Sequence, residues 1–155
     1  MVADIVIDDR DDRPLGLVQV KAKVATSEQI EDWRHRLDRS HRSILFGILA
    51  DPETIWLFKR ERGTFASITD LKAREVLGHY APDFAGSDTR YGSIQFFREY
   101  LETLVSAWLR DFAYHWKSES PPGTADLAGT GLLEGIEGGF AASRETMKRL
   151  RARRV

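Results

Sequence analysis

The sequence predicts a single α/β domain built on a mixed β-sheet. Its length of 155 residues is enough for one domain with a sizeable core. Residues 3–60 follow the order strand, strand, helix, strand, strand, which is typical of mixed α/β folds. Residues 92–117 carry apolar side chains at helical spacing and predict a long helix. We therefore expect one domain over residues 1–155, with the sheet core at 3–60 and a helical C-terminal part at 92–155.

The first two strands flank a short polar turn. Residues 5–7 are β-branched and favour a strand. The next run, 8–14, holds four aspartates and two arginines and reads as a solvated turn. In the second strand, at 15–23, the side chains of Gln19, Lys21 and Lys23 share one face because alternate residues of a strand point the same way. Two strands joined in this way predict an antiparallel hairpin.

A helix and two more strands complete the predicted core. Thr26, with Gln29 three residues later, forms a capping box that starts the helix. Residues 43–49 and 54–59 are apolar runs of strand length, separated by an Asp-Pro turn. The other predicted segments are an irregular stretch at 60–90 with a helical piece at 71–77 and a loop at 78–92, the long helix at 92–117, a short helix at 127–136, a break at 137–139 and a basic tail at 144–155.

Composition excludes several classes of protein. With 23 Lys+Arg against 24 Asp+Glu, the net charge of −1 argues against a surface dominated by polyanion binding. The absence of cysteine excludes disulfides, zinc–thiolate sites and cysteine nucleophiles. No apolar run approaches the roughly 20 residues that span a bilayer, and the N-terminus lacks signal-peptide features. We expect a cytoplasmic protein without a membrane partner.

The register of the first hairpin brings three polar side chains together. If the turn is centred between residues 11 and 12, paired residue numbers sum to 23, and Asp4 lies opposite Gln19. Lys21 then points to the same face, two residues beyond Gln19. A carboxylate and an amide oxygen suit a hard cation such as Mg²⁺, and a lysine can orient a water or stabilise charge on a phosphate.

This layout resembles the PD-(D/E)XK nuclease superfamily, the restriction-endonuclease-like fold. The resemblance rests on an aspartate at a strand start, a polar turn and then Gln19-Val20-Lys21. It covers roughly residues 3–60. It implies a DNA-directed endonuclease that hydrolyses phosphodiester bonds with Mg²⁺ or Mn²⁺. Asp4 and Gln19 would be the metal ligands, and Lys21 would assist hydrolysis, so that Asp4, Gln19 and Lys21 are the expected catalytic residues. The sequence departs from the family pattern at Gln19, where the family has a second acid.

The family also has a helix, often with an acidic residue, and a first strand ahead of the aspartate. The present chain begins three residues before Asp4. This predicts an N-terminally truncated member whose sheet has an unpaired edge beside the first strand.

Two alternatives stay open at this stage. The chain could be a catalytically inactive relative that binds nucleic acid, or that assembles with a protein partner or a second copy through its exposed sheet edge and its aromatic long helix. The aromatic residues of that helix are Phe96, Phe97, Tyr100 and Trp108. Alternatively, Asp4, Gln19 and Lys21 are only the solvated face of a strand pair.

Other polar residues have simpler explanations. Gln29 and Trp33 stand where RecB-type nucleases place a Gln-x-x-x-Tyr motif, but a capping partner and a core residue explain them better. The arginines of the first helix are a candidate DNA-facing group, although a charged outer helix face is the commoner explanation. They are Arg34, Arg36, Arg39 and Arg42.

Overall fold

The computed structural model describes residues 3–84 and 93–153, and within them the chain forms an α/β fold on one six-stranded sheet. The strands are β1 (Ile5–Asp8), β2 (Pro14–Val20), β3 (Phe46–Ala50), β4 (Thr54–Glu61), β5 (Thr64–Lys72) and β6 (Phe140–Ser143). The helices are α1 (Ser27–Asp38), α2 (Ala73–Leu77), α3 (Ile94–Tyr114), α4 (Thr124–Leu127), α5 (Leu132–Ile136) and α6 (Arg144–Arg153).

The sheet is mixed, as the sequence predicts. Its strand order is β5-β4-β3-β2-β1-β6. The β2–β3 pair is parallel because α1 crosses between these two strands, whereas every other pair is antiparallel.

Helices cover both faces of the sheet. On one face α1 buries Trp33 and Leu37 against Leu49 and Phe58. Gly47 of β3 allows this close approach, since a Cβ there would collide with the Leu37 side chain. On the other face α2, α3, α4 and α5 pack over the larger apolar cluster, whose centre includes Trp108 of α3. Met147 of α6 packs on Val6 of β1. The interior strands β1 and β3 are therefore buried along their whole length.

Two strands were missed by the sequence analysis. β5 lies in the stretch at 60–90 that was expected to be irregular, and it pairs with β4 over Thr54–Glu61. β6 follows the predicted break at 137–139 and pairs antiparallel with β1. The expectation of an unpaired edge beside β1 is therefore wrong, because β6, from the far end of the sequence, covers that edge.

Several element bounds also differ from the predictions. β2 ends at Val20, so that Lys21 lies one residue beyond the strand. The predicted long helix at 92–117 is α3, Ile94–Tyr114, whose start is capped by Ser93. The short helix predicted at 127–136 is split into α4 and α5, and the basic tail forms α6. Within the loop predicted at 78–92, residues 85–92 lie outside the described residues.

Candidate functional site

The candidate site lies where β1 begins and β2 ends. Three residue pairs of the β1–β2 ladder have numbers that sum to 23, among them Ile5 with Val18. The predicted hairpin register is therefore confirmed within β1, from Ile5 to Ile7. Asp4 precedes the ladder, and its backbone N–H donates a 2.9 Å hydrogen bond to the carbonyl of Val18 instead of pairing with Gln19. The bulge in this hairpin falls after Ile7, at the opposite end of β1 from Asp4.

Both carboxylate oxygens of Asp4 have a hydrogen-bond donor. Oδ2 accepts a 2.7 Å hydrogen bond from the backbone N–H of Val20, at the end of β2. Oδ1 accepts a 3.2 Å bond from Nη1 of Arg98, a residue of α3 that is 94 positions away in the sequence. Asp4 thus joins the start of β1, the end of β2 and the first turns of α3.

Arg98 is bound by a second carboxylate on its own helix. Its Nη1 also donates a 3.0 Å hydrogen bond to Oε2 of Glu102, one helical turn further on. The three side chains are only 18–29% exposed. The helix is held in place by the adjoining apolar stripe, where Leu101 and Val105, three and seven positions after Arg98, are fully buried.

The surroundings of Glu102 act on the pKa of its carboxyl group in both directions. Burial raises the pKa of the Glu102 carboxyl above its usual value. The positive charge of Arg98 opposes this shift, whereas the nearby carboxylate of Asp4 adds to it. Asp4 and Glu102 therefore act as two like charges that share one guanidinium group.

A cleft of about 390 Å³ brings the three residues predicted from sequence together. Asp4, Gln19 and Lys21 all line it, and so do Lys23 and Arg98. Among the described residues that line this cleft, three are basic and Asp4 is the one acid. Since Asp4 is already paired with Arg98, the cleft carries an excess of positive charge from its two lysines.

A second cleft, of about 490 Å³, lies on the other side of the Asp4–Arg98 pair. Both of these residues line it, and it is bounded by the start of α6 and by one face of α3. Its lining includes four acidic residues (Asp4, Glu99, Glu102 and Glu145) and three basic residues (Arg98, Arg144 and Lys148). The Asp4–Arg98 pair therefore separates a basic cleft from a mildly acidic one.

The metal ligands expected from the resemblance fit a divalent cation poorly. Asp4 is the only acid that the described part of the chain contributes to the basic cleft, and Gln19 contributes no charge. A divalent ion at Oδ1 of Asp4 would have to share this oxygen with the Arg98 guanidinium, which already carries a positive charge. Within residues 3–84 and 93–153, no group of three or more His, Cys, Asp or Glu side chains is arranged to hold a metal ion.

The sequence analysis did not single out Arg98 or Glu102. A usable signal was present, because Arg98 and Glu102 form an i, i+4 pair of opposite charge beside the apolar stripe of a long helix. That spacing predicts a pair on the helix surface, but it gives no indication of Asp4 as the third partner.

Structural contacts explain most of the other residues that the sequence analysis considered. Gln29 completes the predicted capping box with Thr26, and it also lines the basic cleft. Trp33 is fully buried. On α1, Arg34 pairs with Glu31 and Asp38, and Arg36 pairs with Asp32. Arg39 and Arg42 are exposed, and their side chains have no hydrogen-bond or ion-pair partner among the described residues.

Comparisons with protein-family models, curated proteins and solved structures found no match to this chain. In the part of the chain that the structure describes, no helix combines the length and the apolar character that crossing a membrane requires.

Proposed function

We propose that this domain binds the phosphodiester backbone of nucleic acid, with DNA as the first substrate to test. The observation that carries the proposal is the convergence of Lys21, Lys23 and Arg98 on one cleft, in which the one acid among the described lining residues is already paired. Backbone phosphates are the repeating anions that such a cleft can neutralise, and Lys and Arg are their usual ligands.

Arg98 is well suited to contact a phosphate. A guanidinium carries five N–H donors in a planar fork, which matches two oxygens of a phosphate. Both hydrogen bonds of Arg98 within the described residues come from Nη1, so Nε and Nη2 remain as donors for a ligand. Asp4 and Glu102 hold the group in one orientation, which lowers the entropy lost when a ligand binds.

The lysines supply the adjustable part of the site. Neither side chain makes a hydrogen bond or an ion pair to any other described residue, and Lys23 is exposed. Lys21 is nevertheless fixed at its backbone, where its N–H donates a 2.8 Å hydrogen bond to the carbonyl of Ala50. The ammonium groups can therefore follow a flexible backbone while their attachment points stay rigid.

Phosphodiester hydrolysis is a second candidate function. The specific observation in its favour is that Asp4, Gln19 and Lys21 line one cleft, as the resemblance to PD-(D/E)XK nucleases implies. In this case Mg²⁺ or Mn²⁺ would polarise the phosphate, and Lys21 would stabilise its developing charge. The pairing of Asp4 with Arg98 and the lack of charge on Gln19 make binding without hydrolysis the better-supported function.

Fluorescence anisotropy with labelled single-stranded and duplex oligonucleotides tests the binding proposal. Each phosphate contact contributes about 0.9 to the salt slope of log K on duplex DNA and about 0.7 on a single strand. We expect Lys21→Ala, Lys23→Ala and Arg98→Met each to reduce the slope by about one contact. Lys72 is an exposed lysine on β5 outside the cleft, so Lys72→Ala is the matched control and should leave the slope unchanged.

Absence of binding in low salt up to roughly 100 µM, the weak end of non-specific affinity, would refute the proposal. So would equal slopes for Lys21→Ala and Lys72→Ala.

Cleavage assays with Mn²⁺ on plasmid and single-stranded DNA test the second candidate. Cleavage that is lost in Lys21→Ala and kept or raised in Gln19→Glu would establish hydrolysis at this site. If only Gln19→Glu cuts, the natural chain is a binding domain that lacks one acidic ligand. If the natural chain, Lys21→Ala and Gln19→Glu are all folded and none of them cleaves DNA, hydrolysis by Asp4, Gln19 and Lys21 is refuted.

A further inference from the structure

One nitrogen atom bridges two carboxylates that come from different elements. Nη1 of Arg98 lies 3.2 Å from Oδ1 of Asp4 and 3.0 Å from Oε2 of Glu102. Asp4 precedes β1 and Glu102 belongs to α3, so the pairing depends on tertiary packing. A cation that is held by acidic oxygens from two elements occupies the position that a metal ion takes in many proteins.

The backbone positions of both acids are fixed independently of the arginine, and the Asp4 carboxylate also has a second donor. Oδ2 of Asp4 is held by the N–H of Val20, which is almost fully buried at the end of β2. Glu102 is held by its helix, whose neighbouring residue Leu101 has no exposed surface. If the guanidinium were removed, both acids would stay near each other in a partly desolvated place, where like charges repel strongly.

A divalent cation could take the place of the guanidinium with small side-chain movements. Mg²⁺ binds oxygen at about 2.1 Å, so each carboxylate oxygen would need to move roughly 1 Å towards the present position of Nη1. We infer that Arg98 and a divalent metal ion are mutually exclusive occupants of one site, formed by Asp4 and Glu102. In the natural chain the arginine excludes the metal, and a chain without this guanidinium binds Mn²⁺ or Mg²⁺ there.

This inference uses the proposed binding site but does not depend on nucleic-acid binding. It explains why the ligands expected from the sequence fit a metal poorly, since the place of the cation is already filled. It also adds Glu102, which the sequence analysis did not name, as the second acid of the site.

Titration with Mn²⁺, followed by the EPR signal of the free ion or by calorimetry, tests the inference without any activity assay. We expect Arg98→Met to bind one Mn²⁺ at least about tenfold more tightly than the natural chain, because a repelling charge next to the ion has been removed. Adding Glu102→Gln to that variant should abolish the gain. Arg98→Lys, which keeps a positive charge, should not bind Mn²⁺ more tightly.

Arg36→Met is the matched control. It also removes an arginine from an ion pair with an acid on the same helix, Asp32, but leaves only one carboxylate without a partner. It should bind Mn²⁺ no better than the natural chain.

Circular dichroism establishes that each variant is folded, and Arg98→Gln replaces Arg98→Met if the latter is not. A folded Arg98→Met or Arg98→Gln protein with unchanged Mn²⁺ affinity would overturn the inference. Tight Mn²⁺ binding by the natural chain that Glu102→Gln removes would overturn it as well, since the arginine would then not exclude the metal. Neither result bears on oligonucleotide anisotropy, which decides the proposed function separately.

Discussion

Two substitutions of Asp4 measure separately how much each of its two hydrogen bonds contributes to the free energy of unfolding. Asp4→Asn keeps an oxygen that can accept the Val20 N–H but loses the charge that attracts Arg98. A hydrogen bond to a charged group contributes about 1.5–3 kcal/mol, and the partial exposure of this pair reduces its value. We therefore expect Asp4→Asn to lower the free energy of unfolding by about 1 kcal/mol.

Asp4→Ala removes the acceptor of Val20 as well. Val20 is 3% exposed, and a buried N–H without an acceptor costs about 1–3 kcal/mol. The total of about 3 kcal/mol corresponds to a fall in Tm of roughly 6–12 °C for a chain of this size. Urea denaturation, followed by tryptophan fluorescence and circular dichroism, measures both losses. Equal stability of Asp4→Asn and Asp4→Ala would refute the role assigned to the Val20 hydrogen bond.

A double-mutant cycle isolates the ion pair. In an Arg98→Met background, Asp4→Asn should cost less than in the natural chain, by a coupling energy of about 1 kcal/mol. A coupling near zero would show that Asp4 and Arg98 do not interact in solution. It would also remove the electrostatic argument for exclusion of a metal.

Two further predictions concern buried acids outside the site. Burial alone would raise the pKa of Asp111, but hydrogen bonds from the Tyr80 hydroxyl and two backbone N–H groups outweigh it and hold this pKa below 3.8. The stability that this shift contributes is present above pH 3.8 and is lost as the pH falls through the lowered pKa. The free energy of unfolding of Asp111→Asn should therefore depend less on pH in acid than that of the natural chain. Arg151→Met should lower the free energy of unfolding by about 2 kcal/mol at neutral pH, because it leaves buried Asp8 without the guanidinium that contacts both of its oxygens. The loss is no larger because Arg151 is partly exposed. Since burial raises the pKa of Asp8 and Arg151 opposes this shift, the cost should shrink as the pH falls and Asp8 takes up a proton, which urea titrations at two pH values would measure.

Elements defined by short-range signals could be predicted from the sequence. The β1–β2 register follows from a β-branched run, an aspartate-rich turn and the alternation of Gln19 and Lys21, all within 20 residues. The start of α1 follows from the reciprocal hydrogen bonds of Thr26 and Gln29. In both cases neighbouring residues in the sequence determine the conformation.

The missed strands are determined mainly by their partners. In β5 only Phe65 and Leu71 are buried, so the strand shows no clear alternation of apolar and polar residues. A two-residue hairpin loop joins β5 to β4, and in it Arg62 and Gly63 both have positive φ. β6 has only four residues, and its pairing with β1 joins opposite ends of the chain, which no local pattern indicates.

The residues of the candidate site also differ in whether local sequence signals could predict them. The two adjacent strands account for Asp4, Gln19 and Lys21, because these residues stand where β1 begins and β2 ends. Arg98 and Glu102 reach the site only through the packing of α3 against the sheet. The sequence therefore predicts the acid and the lysine but not the cation that neutralises the acid. That cation changes the expected chemistry from metal binding to phosphate binding.

The contacts of each site residue decide which substitutions test function. Asp4 closes the end of β2 through Val20 and anchors α3 through Arg98, so a loss of binding in an Asp4 variant can arise from a change of fold. The side chains of Lys21 and Lys23 have no hydrogen-bond or ion-pair partner among the described residues, and their removal should leave stability within about 0.5 kcal/mol of the natural value. A loss of nucleic-acid binding in these two variants, at unchanged stability, would therefore report on the cleft itself. For this reason the lysines, rather than the acid that the family resemblance emphasises, are the decisive positions for the proposed function.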